Sequence, residues 1–189
     1  MEKFRGVDYY AIEELLTEEE RMVRDAIRDW VEAEFLPIVI RHHREETFPT
    51  HLIPKLGELG VFGATLKGYG CAGLNNVAYG LIMQELERGD SGLRSCASVQ
   101  SALVMYPIST YGSEAQKEAW LPRLQRGEAV GCFGLTEPDH GSDPGGMKTR
   151  AVKKGDGYVL NGTKLWITNG SIADVAVVWA KGDDGEIGG

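Results

Sequence analysis

Glycine is spread unevenly enough along this chain to divide it. It accounts for 25 of 189 residues, well above the usual share of roughly 7 %, yet only Gly6 precedes position 57. The first region reads as helix. Thr17-Glu18-Glu19-Glu20 is a capping box, in which a hydroxyl and a carboxylate satisfy N–H groups that a helix start leaves without partners. Behind it Met22, Val23, Ala26, Ile27, Trp30, Val31 and Phe35 recur at helical spacing and define one buried face. Pro37 is expected to kink or interrupt that helix. Further helices are predicted over residues 50–59, 76–87 and about 97–108. Ser113-Glu114-Ala115-Gln116 is a second capping box, opening a fifth helix.

Near Gly127 the period changes. Residues 130–135, 148–153, 158–160, 164–168 and 175–179 are short, rich in β-formers and bounded by turn chemistry. Gly155-Asp156-Gly157 and Asn161-Gly162 read as hairpin turns. The expected fold class is therefore α+β, a helical domain over residues 1–128 followed by a β-sheet domain over 129–189. No internal repeat is visible. Residues 175–179 have the character of a buried strand, Asp183-Asp184-Gly185 makes a turn, and too little chain follows for a returning strand. On this reading the chain is the front portion of a longer protein.

Lys and Arg number 20 against 28 Asp and Glu, a net charge of −8. A non-specific grip on nucleic acid or anionic membrane needs a basic face, and this balance argues against one. The longest apolar run is far too short to span a bilayer, and the N-terminus lacks the apolar core of a signal peptide. Cys71, Cys96 and Cys132 are scattered, odd in number and without metal-ligand spacing, which points to free thiols in an intracellular protein.

Two motifs invite other readings. Gly68-Tyr69-Gly70-Cys71-Ala72-Gly73 matches G-x-G-x-x-G, follows a possible strand at 61–66, and has Asp90 at about the distance of a ribose-binding acid. That pattern suits a nicotinamide site, but the helical segments after it break the βαβ alternation such a site requires, so a loop between helices is the preferred reading. His42-His43 lies close to Glu45 and Glu46, without zincin spacing or an evident third ligand. It reads as a solvated helix end, and no metal site is assigned.

Two segments carry more chemistry. Cys132-Phe133-Gly134-Leu135-Thr136-Glu137-Pro138-Asp139-His140-Gly141-Ser142-Asp143 starts as a strand and breaks into a turn. Lys164-Leu165-Trp166-Ile167-Thr168-Asn169-Gly170 does the same. Both place hydroxyls and backbone N–H groups at strand ends, where a flat heteroaromatic ligand could be bonded along one edge, and Trp166 could supply a packing wall. The residues alone leave two hairpin turns as the alternative.

These two segments resemble the flavin-contacting signatures of the acyl-CoA dehydrogenase family, and the five helices before them resemble its N-terminal domain. Within the family the similarity is greatest to the glutaryl-CoA dehydrogenases. It is carried by Met83-Gln84-Glu85-Leu86-Glu87-Arg88-Gly89-Asp90-Ser91-Gly92-Leu93-Arg94-Ser95, by Ser98-Val99-Gln100-Ser101 and by the stretch beginning Gly131-Cys132-Phe133. The resemblance implies a helical bundle followed by an incomplete, β-barrel-like sheet domain, with FAD as cofactor. Phe133, Leu135 and Thr136 would meet its isoalloxazine ring and Trp166, Ile167 and Thr168 would flank it, with Thr168 near the reactive edge. Ser142 would touch the pantetheine arm of the CoA thioester. Arg94, with Glu87 and Ser98 nearby, would pair with the far carboxylate of a dicarboxylyl substrate, a task suited to a guanidinium's two parallel donors. His140 stands where the family has a small residue.

The implied reaction is the α,β-dehydrogenation of an acyl-CoA, most closely the oxidative decarboxylation of glutaryl-CoA to crotonyl-CoA in lysine and tryptophan degradation. An electron-transfer flavoprotein would reoxidise the flavin. The resemblance also implies a homotetramer, in the bacterial cytoplasm or the mitochondrial matrix. It places no catalytic residue in this chain. The base would be a Glu of a third, helical domain, so these 189 residues alone are expected to be inactive. Glu137, within the flavin motif, is expected to stabilise its turn. The alternative is a non-catalytic relative acting as a helical binding or scaffolding module.

Overall fold

A computed structural model describes residues 8–189. Helix α1 (Glu18–Trp30) begins at the predicted capping box. The Thr17 hydroxyl accepts from the Glu20 N–H at 3.2 Å, and the Glu20 carboxylate accepts from the Thr17 N–H at 2.8 Å. The other Glu20 oxygen accepts from the Asn75 amide at 2.8 Å, and Asn75 itself caps α4 (Asn76–Gly89) by accepting from the Ala78 N–H. One carboxylate thus links the starts of two packed helices.

Pro37 does not end the first helix. The chain passes from α1 through a π-helical segment (Val31–Phe35) into α2 (Leu36–Arg44). There the Leu36 N–H bonds to the Val31 carbonyl, five residues back instead of four. The same device precedes Pro107. Helix α5 (Ser91–Ser98) widens into a π segment (Val99–Met105), the Tyr106 N–H bonds to the Ser101 carbonyl, and α6 (Tyr106–Tyr111) follows. Proline lacks an N–H and crowds the carbonyl four residues before it, and a widened turn offers a way past both difficulties. Helix α3 (Ile53–Glu58) lies within the predicted 50–59 segment, after a 3-10 turn (Thr50–Leu52). Helix α7 (Glu114–Gln125) starts at the predicted Ser113 box.

The helices enclose one apolar core around Phe62, Leu56, Leu86, Leu93, Met105 and Leu124, none more than 2 % exposed. At its rim Glu85 is fully buried and accepts from Arg28 (2.7 and 3.0 Å), Arg88 (2.8 Å) and Gln84 (3.3 Å). Burial disfavours its charge, but these donors outweigh that and hold the carboxyl below the ordinary glutamate range. The arrangement ties α1 to α4. Residues 61–66 form no strand. Gly60 and Gly63 have positive φ, and residues 61–64 turn inside the helical core.

The sheet domain has two small sheets. Strand β1 (Gly131–Gly134) runs parallel to β4 (Val175–Val178), with Gly131 opposite Val175. Strands β2 (Arg150–Lys154) and β3 (Gly157–Asn161) form the predicted hairpin about Gly155, whose φ of 62° suits glycine. Strands β5 (Ala180–Lys181) and β6 (Ile187–Gly188) extend it in the order β3-β2-β5-β6. The strands close no barrel. Three expectations are corrected here. Residues 164–168 are loop, because Trp166 adopts a φ of 59° that a strand cannot contain. Asn161-Gly162 makes no hairpin, since no strand follows it and Gly162 lies tight against Thr149. The turn at Asp183-Asp184-Gly185 does have a returning strand, β6, which pairs Ile187 with Lys181.

A buried side chain helps to join the two domains. Gln100, 1 % exposed in the second π segment, donates to the carbonyls of Leu124 (3.0 Å) and Ala129 (2.8 Å) and accepts from the Gly131 N–H (2.7 Å). Gly131 also packs so tightly on Val104 that an added Cβ would lie 2.5 Å from a Val104 methyl. Replacing Gln100 with leucine keeps most of the volume and strands these backbone groups. Urea unfolding of Gln100→Leu is expected to show a loss of about 2–4 kcal/mol.

Candidate functional site

Strand β1 leaves the helical domain and delivers Phe133, Leu135 and Thr136 to the start of a turn. Phe133 packs edge-on against Trp179, with ring centroids 6.1 Å apart. Phe133 and Leu135 line an apolar cavity of about 250 Å³ with Met147, Trp179 and Ile187, and the buried indole N–H of Trp179 has no partner.

The turn is fixed by Glu137, 4 % exposed. Its carboxylate accepts from the N–H groups of Lys148 (2.6 Å) and Thr149 (2.9 Å) and from the Lys164 ammonium (2.9 Å). Lys164 also donates to the Leu135 carbonyl at 3.0 Å, and the Leu165 N–H donates to the Thr136 carbonyl at 2.9 Å. The two motif segments therefore run side by side, clipped by one buried ion pair. Burial works against the Glu137 charge, but the donors prevail and hold the carboxyl far below the usual range. That makes it a structural anion and a poor proton acceptor, as the sequence reading held.

The 164–170 loop presents Trp166 outward. The indole is 85 % exposed on left-handed backbone, a conformation that costs a residue with a Cβ on the order of 1 kcal/mol or more. Ile167 and Thr168 are half-buried beside it. The backbone N–H groups of Thr136, Trp166, Ile167 and Thr168 donate to nothing among the described residues. The segment carrying Phe133, Leu135 and Thr136 therefore lies beside the loop carrying Trp166, Ile167 and Thr168.

Helix α5 meets this loop from the helical domain through Ser95 and Cys96. Asp90 breaks the chain between α4 and α5 and caps α5 by accepting from Gly92 and Leu93. Across this break the Arg94 Nε donates to Glu87 at 2.6 Å and Arg94 Nη1 to the Ser98 hydroxyl at 3.4 Å, while Ser91 donates to the second Glu87 oxygen at 2.6 Å. Arg94, Glu87 and Ser98 are together, as predicted. The guanidinium is about one-third exposed and keeps free donors. Ser95 joins this cluster to the loop, its hydroxyl 3.5 Å from that of Thr168.

Ser142 stands apart. It is exposed in the turn and makes no side-chain bond to the other predicted residues. His140 is folded inward, its ring where a Cβ on Gly146 would be, with Nε2 buried and unpaired. The sequence reading gave no role to Lys164, Ser95 or Asn169. The signal for Lys164 was a lone cation in an apolar segment, and for Asn169 an Asn-Gly pair at a turn.

The other motifs lie elsewhere. Gly68, Tyr69 and Gly70 have successive positive φ values in a loop before α4, with no strand ahead of them. His42 meets the Thr47 hydroxyl at 2.8 Å and the His51 ring at 6.3 Å. Among the described residues no group of three His, Cys, Asp or Glu is placed to hold a metal ion, and no helix is long and apolar enough to cross a membrane. Burial pushes the Cys71 and Cys96 thiols up to about 11, so neither is a thiolate nucleophile near neutral pH.

A model of the acyl-CoA dehydrogenase N-terminal domain matches residues 17–128, and one of the acyl-CoA dehydrogenase middle domain matches residues 132–189. The chain belongs to the acyl-CoA dehydrogenase family. A glutaryl-CoA dehydrogenase from Mycobacterium smegmatis, solved in complex with FADH2, superposes with a TM-score of 0.92 at 53 % identity, over 94 % of this chain and 46 % of that one. Butyryl-CoA dehydrogenase from Megasphaera elsdenii superposes with a TM-score of 0.81 at 37 % identity, over 88 % and 45 %. The mitochondrial short-chain specific acyl-CoA dehydrogenase of Rattus norvegicus is 39 % identical over 176 residues, 93 % of this chain and 42 % of the relative. The chain therefore spans less than half the length of these acyl-CoA dehydrogenases.

The Glu137 clip has a consequence for pH. Because folding depresses its pKa, the stabilisation is complete above the ordinary carboxylate value near 4.3 and is lost progressively as pH falls below it. Glu137→Gln is expected to melt at lower temperature at pH 7 and to show a flatter decline in melting temperature on acidification.

Proposed function

We propose that this chain is the helical domain (1–128) and the start of the sheet domain (129–189) of an FAD-dependent dehydrogenase acting on acyl-CoA thioesters, with a dicarboxylyl-CoA such as glutaryl-CoA as substrate. The observation that carries the reading is the Ser95–Thr168 contact. It brings the helix that carries Arg94 against a loop with an exposed indole and free N–H groups, which supports this reading.

The residues present suit a flavin. An isoalloxazine is flat, with an apolar benzenoid end and a row of acceptors on its pyrimidine edge. The exposed Trp166 and the side chains of Phe133 and Leu135 offer apolar surface. Thr136, Thr168 and the unpaired N–H groups of the loop offer donors. Such donors stabilise negative charge arriving on that edge because they are already oriented. A flavin held here would supply the acceptor for hydride from the substrate's β-carbon.

The site's other residues hold the substrate. Arg94, steadied by Glu87 and Ser98, is the partner for its far carboxylate, and its free donors allow a two-point contact. Ser142 is assigned to the pantetheine arm. Neither carboxylate nearby suits the base that takes the α-proton. Glu137 is held by three donors and Glu87 by Arg94 and Ser91. We therefore assign that step to another part of the protein. An electron-transfer flavoprotein as acceptor of the electrons follows from the family resemblance.

The flavin-loaded protein is the one to test, by adding glutaryl-CoA and butyryl-CoA without oxygen and following loss of flavin absorbance. Rapid bleaching with a preference for glutaryl-CoA is expected. Arg94→Met should remove that preference. Losing a desolvated charge pair costs on the order of 2–5 kcal/mol, about thirtyfold or more in the ratio of kcat/KM values. An unchanged ratio removes Arg94 from the site. A wild-type preference for butyryl-CoA instead assigns a short-chain substrate, like that named for the rat relative.

A further inference from the structure

The loop that carries Trp166, Ile167 and Thr168 is anchored at both ends. At its start Lys164 is clipped to Glu137 and the Leu165 N–H to the Thr136 carbonyl. At its end the side chain of Asn169 reaches two other elements. Its amide donates to the Cys96 carbonyl at 3.4 Å and to the Gly131 carbonyl at 3.2 Å. Cys96 lies two residues beyond Arg94 on α5, and Gly131 is the first residue of β1. Asn169 has a φ of 65°, a left-handed conformation that asparagine tolerates better than most residues with a Cβ. Its backbone closes the turn as well, accepting from the Ile172 N–H at 3.0 Å.

From this geometry we propose that Asn169 is a positioning residue, one that sets the height of Ile167 and Thr168 against the helix bearing Arg94. The inference rests on the proposed function and deepens it. A dicarboxylyl thioester must present its carboxylate to Arg94 while its reacting carbons lie over the loop. The spacing between helix and loop then decides whether both ends are satisfied at once. The Ser95–Thr168 contact, at 3.5 Å, joins two side chains across this gap. The Asn169 amide instead bonds backbone of both α5 and β1, and so ties the loop to helix and strand together. A substrate without the far carboxylate needs only the loop and is less sensitive to it.

Two variants of the flavin-loaded protein test this. Asn169→Gly keeps the left-handed backbone accessible and removes only the amide. Asn169→Asp keeps the shape and turns a donor into an oxygen facing two carbonyl oxygens. In both, the visible flavin bands are expected to shift, and the ratio of kcat/KM for glutaryl-CoA to that for butyryl-CoA to fall about tenfold, the size of one or two lost hydrogen bonds. Butyryl-CoA turnover should change far less. The proposal is overturned if bands and ratio stay at wild-type values, if both substrates slow equally, or if neither variant yields folded protein, since the amide is then a determinant of the fold alone. Should the wild type itself bind no flavin or fail to bleach with glutaryl-CoA, the functional reading fails first and takes the proposal with it.

Discussion

The packing of the first strand on the helical domain depends on one buried amide. Gln100 sits where a helix, an inter-domain connection and the first strand converge, and its bonds satisfy backbone groups belonging to each. An amide suits the position because it offers donors and an acceptor from one planar group, whereas a carboxylate or a lysine would match only half the set. With Gln100 in place, β1 is held at a fixed distance from the π segment, and Val104 against Gly131 permits no closer approach. Strand β1 is thereby seated against the helical domain, and α5 runs directly into the π segment that carries Gln100.

The 164–170 loop also stores strain. Trp166 and Asn169 both occupy left-handed backbone within four residues, and neither is glycine. Such conformations persist only where the surroundings over-determine them. Here they do so through the Lys164–Glu137 pair and the Asn169 amide. The result is a loop whose large indole faces outward, with nothing among the described residues covering it. Rigid, pre-paid geometry of this kind lowers the entropic cost of ordering a ligand.

Much of this was legible in the sequence because the signals were local. Both capping boxes formed as read, the glycine hairpin after β2 formed, and the apolar face of α1 packs inward through Ile27 and Val31. Other features had non-local or competing causes. Pro37 is expected to kink or interrupt the helix, and the chain meets it with a π-helical turn that no short pattern signals. Residues 164–168 carry β-formers, yet the bonds from Lys164 and Leu165 to the neighbouring turn override that propensity. The association of Arg94 with Glu87 and Ser98 comes from family resemblance. Spacing alone did not foresee that Asp90 would bend the chain and still leave Glu87 within reach.

The parallel pairing of β1 with β4 imposes an order on how the protein is made. Partners in register, such as Gly131 and Val175, are separated by the whole β2–β3 hairpin and the 164–170 loop. Contacts so distant along the chain form late, because loop-closure entropy must be overcome before they can contribute. The helices, built from near neighbours and emerging first from the ribosome, can mature while β1 still lacks its partner. During that interval the strand has an unsatisfied edge, the kind of surface on which chains aggregate. Gln100 and Val104 pin it against the finished helices, so the amide that seats β1 also shelters the nascent strand.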